Sequence, residues 1–407
     1  MKTIEGGVCA PKGFKANGVW CGIRKKKDKR DLALIVSDAP CAAAGMYTNN
    51  IVKAASVLVT REHLTDGNAR VVICNSGNAN ACTGEPGLVA ARKMASIAAE
   101  KIGCLPSEVA VGSTGVIGVP LPIEPVETAI DELVDGLTAD AGGHGRALEA
   151  IMTTDTRKKE ISVEFTLGGK PVRIGAMAKG AGMIHPNMGT MLSFITSDAA
   201  IESALLDEAL RRAVRRSFNR VTVDGDTSTN DTVVILANGR AGNARISQKG
   251  ADWETFAAAL EYVCVDLSRK IARDGEGATR LVTCSVSGAK DEAAAEVLAK
   301  SIVSSSLVKA ACFGADANWG RILCAMGYSG AAFTPEGVDV RFKSAAGEVL
   351  VCAKGASIPF SEETAKKVLS EEEIEILVTM TEGKASVTAW GCDLTYDYVK
   401  INGDYRS

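Results

Sequence analysis

Histidine is scarce in this chain: its 407 residues hold three, His63, His144 and His185. Cysteine is present twelve times, but no C-x-x-C pair occurs and no histidine falls at zinc-finger spacing. A Cys/His metal site has little material here, and most thiols are expected to act as small buried apolar groups in a reducing compartment. No apolar run approaches the roughly 18 residues of a membrane-spanning helix. The opening MKTIEGGVCAPKGF lacks the apolar core of a secretion signal, and Glu5 is out of place in an acid-poor transit peptide. The expectation is a cytoplasmic protein with no membrane partner. Charge is nearly balanced, with 46 Lys and Arg against 49 Asp and Glu, so nothing electrostatic points to nucleic acid.

What is present is ordinary globular material: 46% hydrophobic, 23% charged and 41 glycines. The length suits two or three domain-sized units or one large α/β body. Short apolar runs at Leu32 to Val36, Val71 to Cys74 and Val233 to Leu236 read as strands. Ile161 to Leu167 and Val172 to Ala176 alternate around Gly168-Gly169 as a hairpin. Helical spacing appears from Leu88 to Ile102, over Val126 to Leu137, from about Ile201 to Phe218 and from Trp253 to Ile271. Further strands are expected near Leu281 to Val286, Val338 to Phe342, Leu350 to Cys352, Ile374 to Met380 and Ala385 to Trp390. The basic run Arg24 to Arg30 reads as a solvated hairpin tip.

One stretch carries chemistry. Lys179 to Asp198, KGAGMIHPNMGTMLSFITSD, passes through a Gly-rich turn to Gly189-Thr190 and then into an alternating strand. A threonine hydroxyl is a weak nucleophile unless a base takes its proton. Cutting the Gly189-Thr190 bond would give Thr190 a free α-amine, which titrates near roughly 7.7 to 8 in model peptides. Nucleophile and base would then sit on one residue. Taken alone, the bond reads first as a polar turn entering a strand.

Two other segments invite a reading. Backbone N-H groups of the Gly-rich loop Gly112 to Gly118 can converge on a developing oxyanion; no lysine follows at phosphate-loop spacing. The acidic stretch Val223 to Asp231, VDGDTSTND, suggests a calcium loop, but Thr229 and Ile235 stand where an EF-hand needs Gly and Glu.

KGAGMIHPNMGTMLSFITSDA resembles the processing-site motif of the ornithine acetyltransferase family, the glutamate N-acetyltransferases of the cyclic arginine pathway. That motif reads Lys-Gly-x-Gly-Met, then x-Pro-Asn-Met-Ala-Thr-Met-Leu, with self-cleavage before the Thr. Here Gly189 stands where Ala is common. The resemblance extends through NSGNANA near residue 75, the Gly112 loop, VDGDTSTNDT, DGEG at 274 to 277, ANWGR at 317 to 321 and the chain end. It implies an α/β fold of layered sheets and helices, of the ornithine acetyltransferase and self-cleaving aminopeptidase type. It implies an N-terminal chain 1-189 and a C-terminal chain 190-407, assembled as a heterotetramer of two of each. It implies Thr190 as nucleophile and Thr114 with Gly115 as oxyanion hole. A substrate pocket of Lys179, Glu276, Asn402, Ser407 and one threonine among Thr153, Thr154 and Thr156 is also implied, with the spacing to Lys179 favouring Thr156.

The implied reaction moves an acetyl group from N-acetylornithine to glutamate through an acetyl-Thr190 ester, by a ping-pong route. No cofactor is expected, and acetyl-CoA is the one additional co-substrate to consider. Two alternatives stand beside it: a related self-cleaving aminopeptidase or amidohydrolase that releases products to water, and an unprocessed binding protein. The ANWGR segment reads as a structural turn.

Overall fold

The computed structural model describes residues 1–25, 27, 29–185 and 191–404. The chain divides into two compact units. The first comprises residues 1–180, 191–219 and Thr227–Leu267, and the second Ala181–His185, Arg220–Asp226 and 268–404. Both units draw on residues from either side of position 190, so compact units and the expected cleavage products partition the chain differently.

The first unit is built on nine strands: β1 (Lys2–Ile4), β2 (Phe14–Val19), β3 (Leu32–Tyr47), β4 (Asn68–Asn75), β5 (Val109–Ser113), β6 (Lys159–Leu167), β7 (Lys170–Lys179), β8 (Leu192–Ser197) and β9 (Thr232–Ala237). They are joined in the order β1-β6-β7-β8-β9-β3-β4-β5, with β2 alongside β3. The sixteen residues of β3 serve three neighbours, with Leu32 to Ser37 lying against β2. Leu32 to Val36 pair with β4, Ala42 to Tyr47 pair with β9, and the β3-β4 register shifts between Val36 and Cys41. Pro40 falls in that gap, where a residue without an N-H interrupts a ladder least.

Side chains of a strand point alternately to opposite faces, and both faces are buried here. Ala33 and Ile35 join a core with Phe14, Cys74, Met177, Phe194 and Leu236. Leu32 and Leu34 turn to a second core with Val71, Ile73, Met94, Ala98, Val126 and Leu133. The helices of this unit are α1 (Ala55–His63), α2 (Gly84–Ile102), α3 (Glu124–Asp135), α4 (Ala141–Ile151), α5 (Ser203–Arg216) and the start of α6 (Ala251–Arg273). Asp140 caps α4 by accepting the Gly143 N-H at 2.9 Å.

The second unit carries a six-stranded sheet: β10 (Leu281–Ala289), β11 (Asp339–Ser344), β12 (Gly347–Ala353), β13 (Ala356–Ser357), β14 (Glu373–Thr379) and β15 (Ala385–Cys392). β10 lies parallel to β14 and antiparallel to β15. Its helices are α7 (Glu292–Ser304), α8 (Ser306–Phe313), α9 (Trp319–Gly327), α10 (Glu362–Leu369) and α11 (Tyr396–Gly403). Val282, Cys284 and Val286 of β10 pack with Leu298 and Ile302 of α7 in one core.

The α/β class and most periodic elements agree with the sequence. The ANWGR segment is not a turn: the Asn318 side chain caps α9, and Trp319 to Arg321 form its first turn. Near the chain end, α11 occupies Tyr396–Gly403. All twelve cysteines are free, and eight of them are buried. Burial pushes the Cys74 thiol up to about 12, as expected of a thiol kept as an apolar group. No helix among the described residues is long and apolar enough to cross a membrane.

Candidate active site

Gly189, Thr190 and Ser407 lie outside the described residues. The other residues named from the sequence fall into two groups, one in each unit, and each group is taken by itself.

In the first unit, Thr114 and Gly115 follow directly on β5. Thr114 is buried, and its N-H donates to the Asn75 carbonyl at 3.0 Å. Among the described residues neither the Thr114 hydroxyl nor the Gly115 N-H donates a hydrogen bond, which leaves one O-H and one N-H donor on adjacent residues. Gly115 has φ of 136°, and a Cβ there would collide with the Gly77 carbonyl carbon and the Asn78 nitrogen. Only glycine fits.

Asparagine side chains hold this loop against its neighbours. Asn75 Nδ2 donates to the Asn78 carbonyl at 2.9 Å, and Asn75 Oδ1 accepts from the Ser113 hydroxyl at 2.7 Å. From the segment before β9, Asn230 Nδ2 donates to the carbonyls of Ala79 and Ser113 at 2.6 and 2.7 Å. The Asn-rich run and Asn230, distant in sequence, therefore meet at the loop that carries Thr114 and Gly115. The described chain resumes at Met191, whose carbonyl accepts from the Thr232 N-H at 3.0 Å.

Lys179 ends β7, opposite Leu192 of β8. Its Nζ lies 3.4 Å from the Thr153 hydroxyl, whereas Thr156 is exposed. Withdrawal from water lowers the Lys179 pKa, against the opposing pull of Asp155 and Asp231. Asp155 is buried and fully engaged. Its Oδ1 takes the Gly180 N-H at 2.7 Å and Lys159 Nζ at 2.5 Å, and its Oδ2 takes the Thr153 N-H at 3.0 Å. Burial works to raise its pKa, but Lys159, Lys179 and the Gly180 N-H together outweigh burial and hold it at about 2.

Asp231 has the opposite fate. It is buried, its Oδ2 has no hydrogen-bond partner among the described residues, and burial raises its pKa well above the usual carboxylate range. Lys179, the Ser228 and Thr48 hydroxyls and the Met191 N-H offset this only in part. The region thus contains two buried carboxylates pushed in opposite directions, Asp155 below and Asp231 above the usual carboxylate range.

In the second unit, Glu276 and Asn402 are brought together. Asn402 Nδ2, on α11, donates to Glu276 Oε2 at 2.8 Å. The Glu276 carboxylate lies against Gly182, where any Cβ would overlap it, and the Glu276 N-H donates to the Ala181 carbonyl at 2.9 Å. Thr395 Oγ1 donates to the Gly277 carbonyl at 2.7 Å, fixing the start of α11 on the same turn.

Sequence reasoning passed over Asp155, Lys159, Asn230, Asp231 and Asp224. The i, i+4 spacing of Asp155 and Lys159 was a visible pairing signal, though its burial was not. Asp224, Asn230 and Asp231 all sit in the stretch that first suggested calcium. The Asp224 oxygens instead accept from main-chain N-H groups, burial raises the Asp231 pKa, and Asn230 gives its amide to the Ala79 and Ser113 carbonyls.

A mixed α/β fold with an O-H and an N-H donor on adjacent residues after a strand, and a lysine near two buried carboxylates, suits an enzyme of acyl transfer. The chain belongs to the ArgJ family, whose model matches residues 15–407. It is 52% identical over 408 residues to the arginine biosynthesis bifunctional protein ArgJ of Symbiobacterium thermophilum, covering 100% of each chain. It is 53% identical to ArgJ 1 of Clostridium acetobutylicum, over 97% of this chain and 96% of that one. A crystal structure of the argJ protein of Bacillus halodurans matches at 47% identity and a TM-score of 0.50, covering 53% of this chain and 99% of that one. The chain is accordingly an acyltransferase of arginine biosynthesis, a glutamate N-acetyltransferase.

Proposed function

We propose that this enzyme transfers an acetyl group from N2-acetyl-L-ornithine to L-glutamate through an ester on Thr190. The observation that carries the reading is the pair of uncommitted donors at Thr114 and Gly115, tied through Asn230 to the segment that enters β9, the neighbour of the strand that follows Thr190. The donors suit a tetrahedral oxyanion.

The reaction begins with self-cleavage. The Thr190 hydroxyl oxygen adds to the Gly189 carbonyl carbon, the C-N bond breaks, and the hydroxyl proton ends on the freed amine. Water then hydrolyses the ester to a Gly189 carboxylate and a free Thr190 hydroxyl.

In each turnover the Thr190 amine takes the hydroxyl proton as the oxygen attacks the acetyl carbonyl. The Thr114 hydroxyl and Gly115 N-H stabilise the oxyanion, and ornithine leaves with that proton. The glutamate amine then attacks the ester, and its proton returns to the Thr190 oxygen. Lys179 offers a cation for a substrate carboxylate, with Thr153 or Thr156 beside it. Glu276, oriented by Asn402, offers a carboxylate for a substrate ammonium, and Ser407 completes the chain end. The chemistry requires no cofactor, and acetyl-CoA would enter only as a second acetyl donor. The enzyme assembles as two N-terminal and two C-terminal chains.

The test pairs mass spectrometry with a donor comparison. The wild-type protein should give two fragments and form acetylglutamate from acetylornithine, with acetyl-CoA assayed in parallel. Thr190→Ala should remain one chain of 42.4 kDa and form none. An uncut variant that still turned over would refute the nucleophile assignment.

A further inference from the structure

We infer that Asp224 is a positioning residue for self-cleavage, clamping the five residues that lead into the processing segment and linking them to the C-terminal helix. The inference rests on the proposed cut before Thr190, in which the Thr190 oxygen replaces the Thr190 nitrogen on the Gly189 carbonyl carbon and the hydroxyl proton moves to that nitrogen.

The geometry lies wholly within the second unit. Asp224 Oδ2 accepts the Met183 N-H at 2.6 Å, and Oδ1 accepts the Ile184 N-H at 2.9 Å. One carboxylate therefore spans two successive main-chain donors. The adjacent Val223 N-H donates to the Ile184 carbonyl at 2.7 Å, and the Thr222 hydroxyl lies 3.1 Å from His185 Nδ1. Residues 222 to 224 thus grip residues 183 to 185 at four points. Upstream, Ala181 and Gly182 are held by the main chain and carboxylate of Glu276.

Two features show that this grip is specific. Met183 has φ of 55°, a left-handed conformation that a side chain bearing Cβ seldom takes without external support. The twin bonds to Asp224 supply that support, because they need N-H 183 and N-H 184 to point the same way. Second, Tyr398 of α11 donates its hydroxyl to Asp224 Oδ2 at 3.3 Å, while Asn402, one turn further along α11, holds Glu276. The same helix therefore braces both residues that secure the segment. Met183 is exposed, so apolar burial does little to fix it.

An intramolecular attack is governed by how closely the reacting geometry is held, and the five residues before Pro186 set where the chain enters the reaction. Losing the bonds to one carboxylate oxygen should be read directly in the cleavage rate. Asp224→Asn keeps one acceptor and is expected to slow cleavage about tenfold, and Asp224→Ala about a hundredfold. Tyr398→Phe, which removes one hydroxyl, is expected to slow it about threefold.

The experiment follows the uncut full chain with time on denaturing gels and by mass for each variant. Thermal midpoints are measured in the uncleavable Thr190→Ala background with and without each change. The expected result is a cleavage rate ordered wild type, Tyr398→Phe, Asn, Ala, with midpoints unchanged. Cleavage of Asp224→Ala at the wild-type rate overturns the inference. So does a rate loss matched by a falling midpoint, which would mark general destabilisation. A wild-type chain that is never cut is a separate outcome: it removes the nucleophile reading and this inference with it.

Discussion

Replacing Asp155 by Asn tests the electrostatic design around Lys179. The wild-type carboxylate is buried and ion-paired with an equally buried Lys159 at 2.5 Å. It also anchors the N-H groups of Thr153 and Gly180. Its folded pKa of about 2 lies below an unfolded value of about 3.9. That depression contributes about 2.6 kcal/mol of stability at neutral pH. The contribution is present above the unfolded pKa and is lost as pH falls through the folded one, so the window runs from about pH 4 down to about 2. Removing one partner of a buried pair can cost about 3–5 kcal/mol. Asn, however, keeps one acceptor, so a loss of about 2–3 kcal/mol is expected at pH 7. Urea unfolding of wild type and Asp155→Asn at pH 7 and pH 3 reads the difference. About half of the gap should remain at pH 3. Equal stabilities at pH 7, or a gap of the same size at both pH values, would refute the reasoning.

Two further substitutions probe the proposed chemistry. Gly115→Ala places a Cβ into the Gly77-Asn78 main chain at a φ reserved for glycine; acetyl transfer should fall at least about a hundredfold, the scale of losing one oxyanion donor, as measured by acetylglutamate formation. Glu276→Gln keeps the shape and the Asn402 contact but removes the charge. It should raise KM for acetylornithine by about tenfold or more in initial-rate assays with glutamate saturating.

The periodic elements were legible because their residues alternate or repeat at helical spacing, as in β6 to β9 and α2. The proposed nucleophile could be named because Gly189-Thr190 sits in a contiguous motif. Contiguity also explains the naming of Thr114, Gly115, Lys179 and Glu276. Asn318 was misread because a cap and a turn share the same residue types, and only the helix that follows distinguishes them. The threonine nearest Lys179 was equally hidden, because chain spacing does not say which of three neighbouring side chains turns toward a strand end.

The sequence alone therefore determined the family, the strand and helix periods, and the one hydroxyl that could become an N-terminal nucleophile, since each is encoded in residues adjacent along the chain. The tertiary structure decided what surrounds each carboxylate. Asp155, Asp224 and Asp231 are the same residue type in similarly polar surroundings of sequence. Folding gives Asp155 a buried lysine, gives Asp224 two main-chain donors, and leaves one oxygen of Asp231 without a partner among the described residues. Charge in a protein interior is set by desolvation and by neighbours in space, and neither is written in the order of the residues.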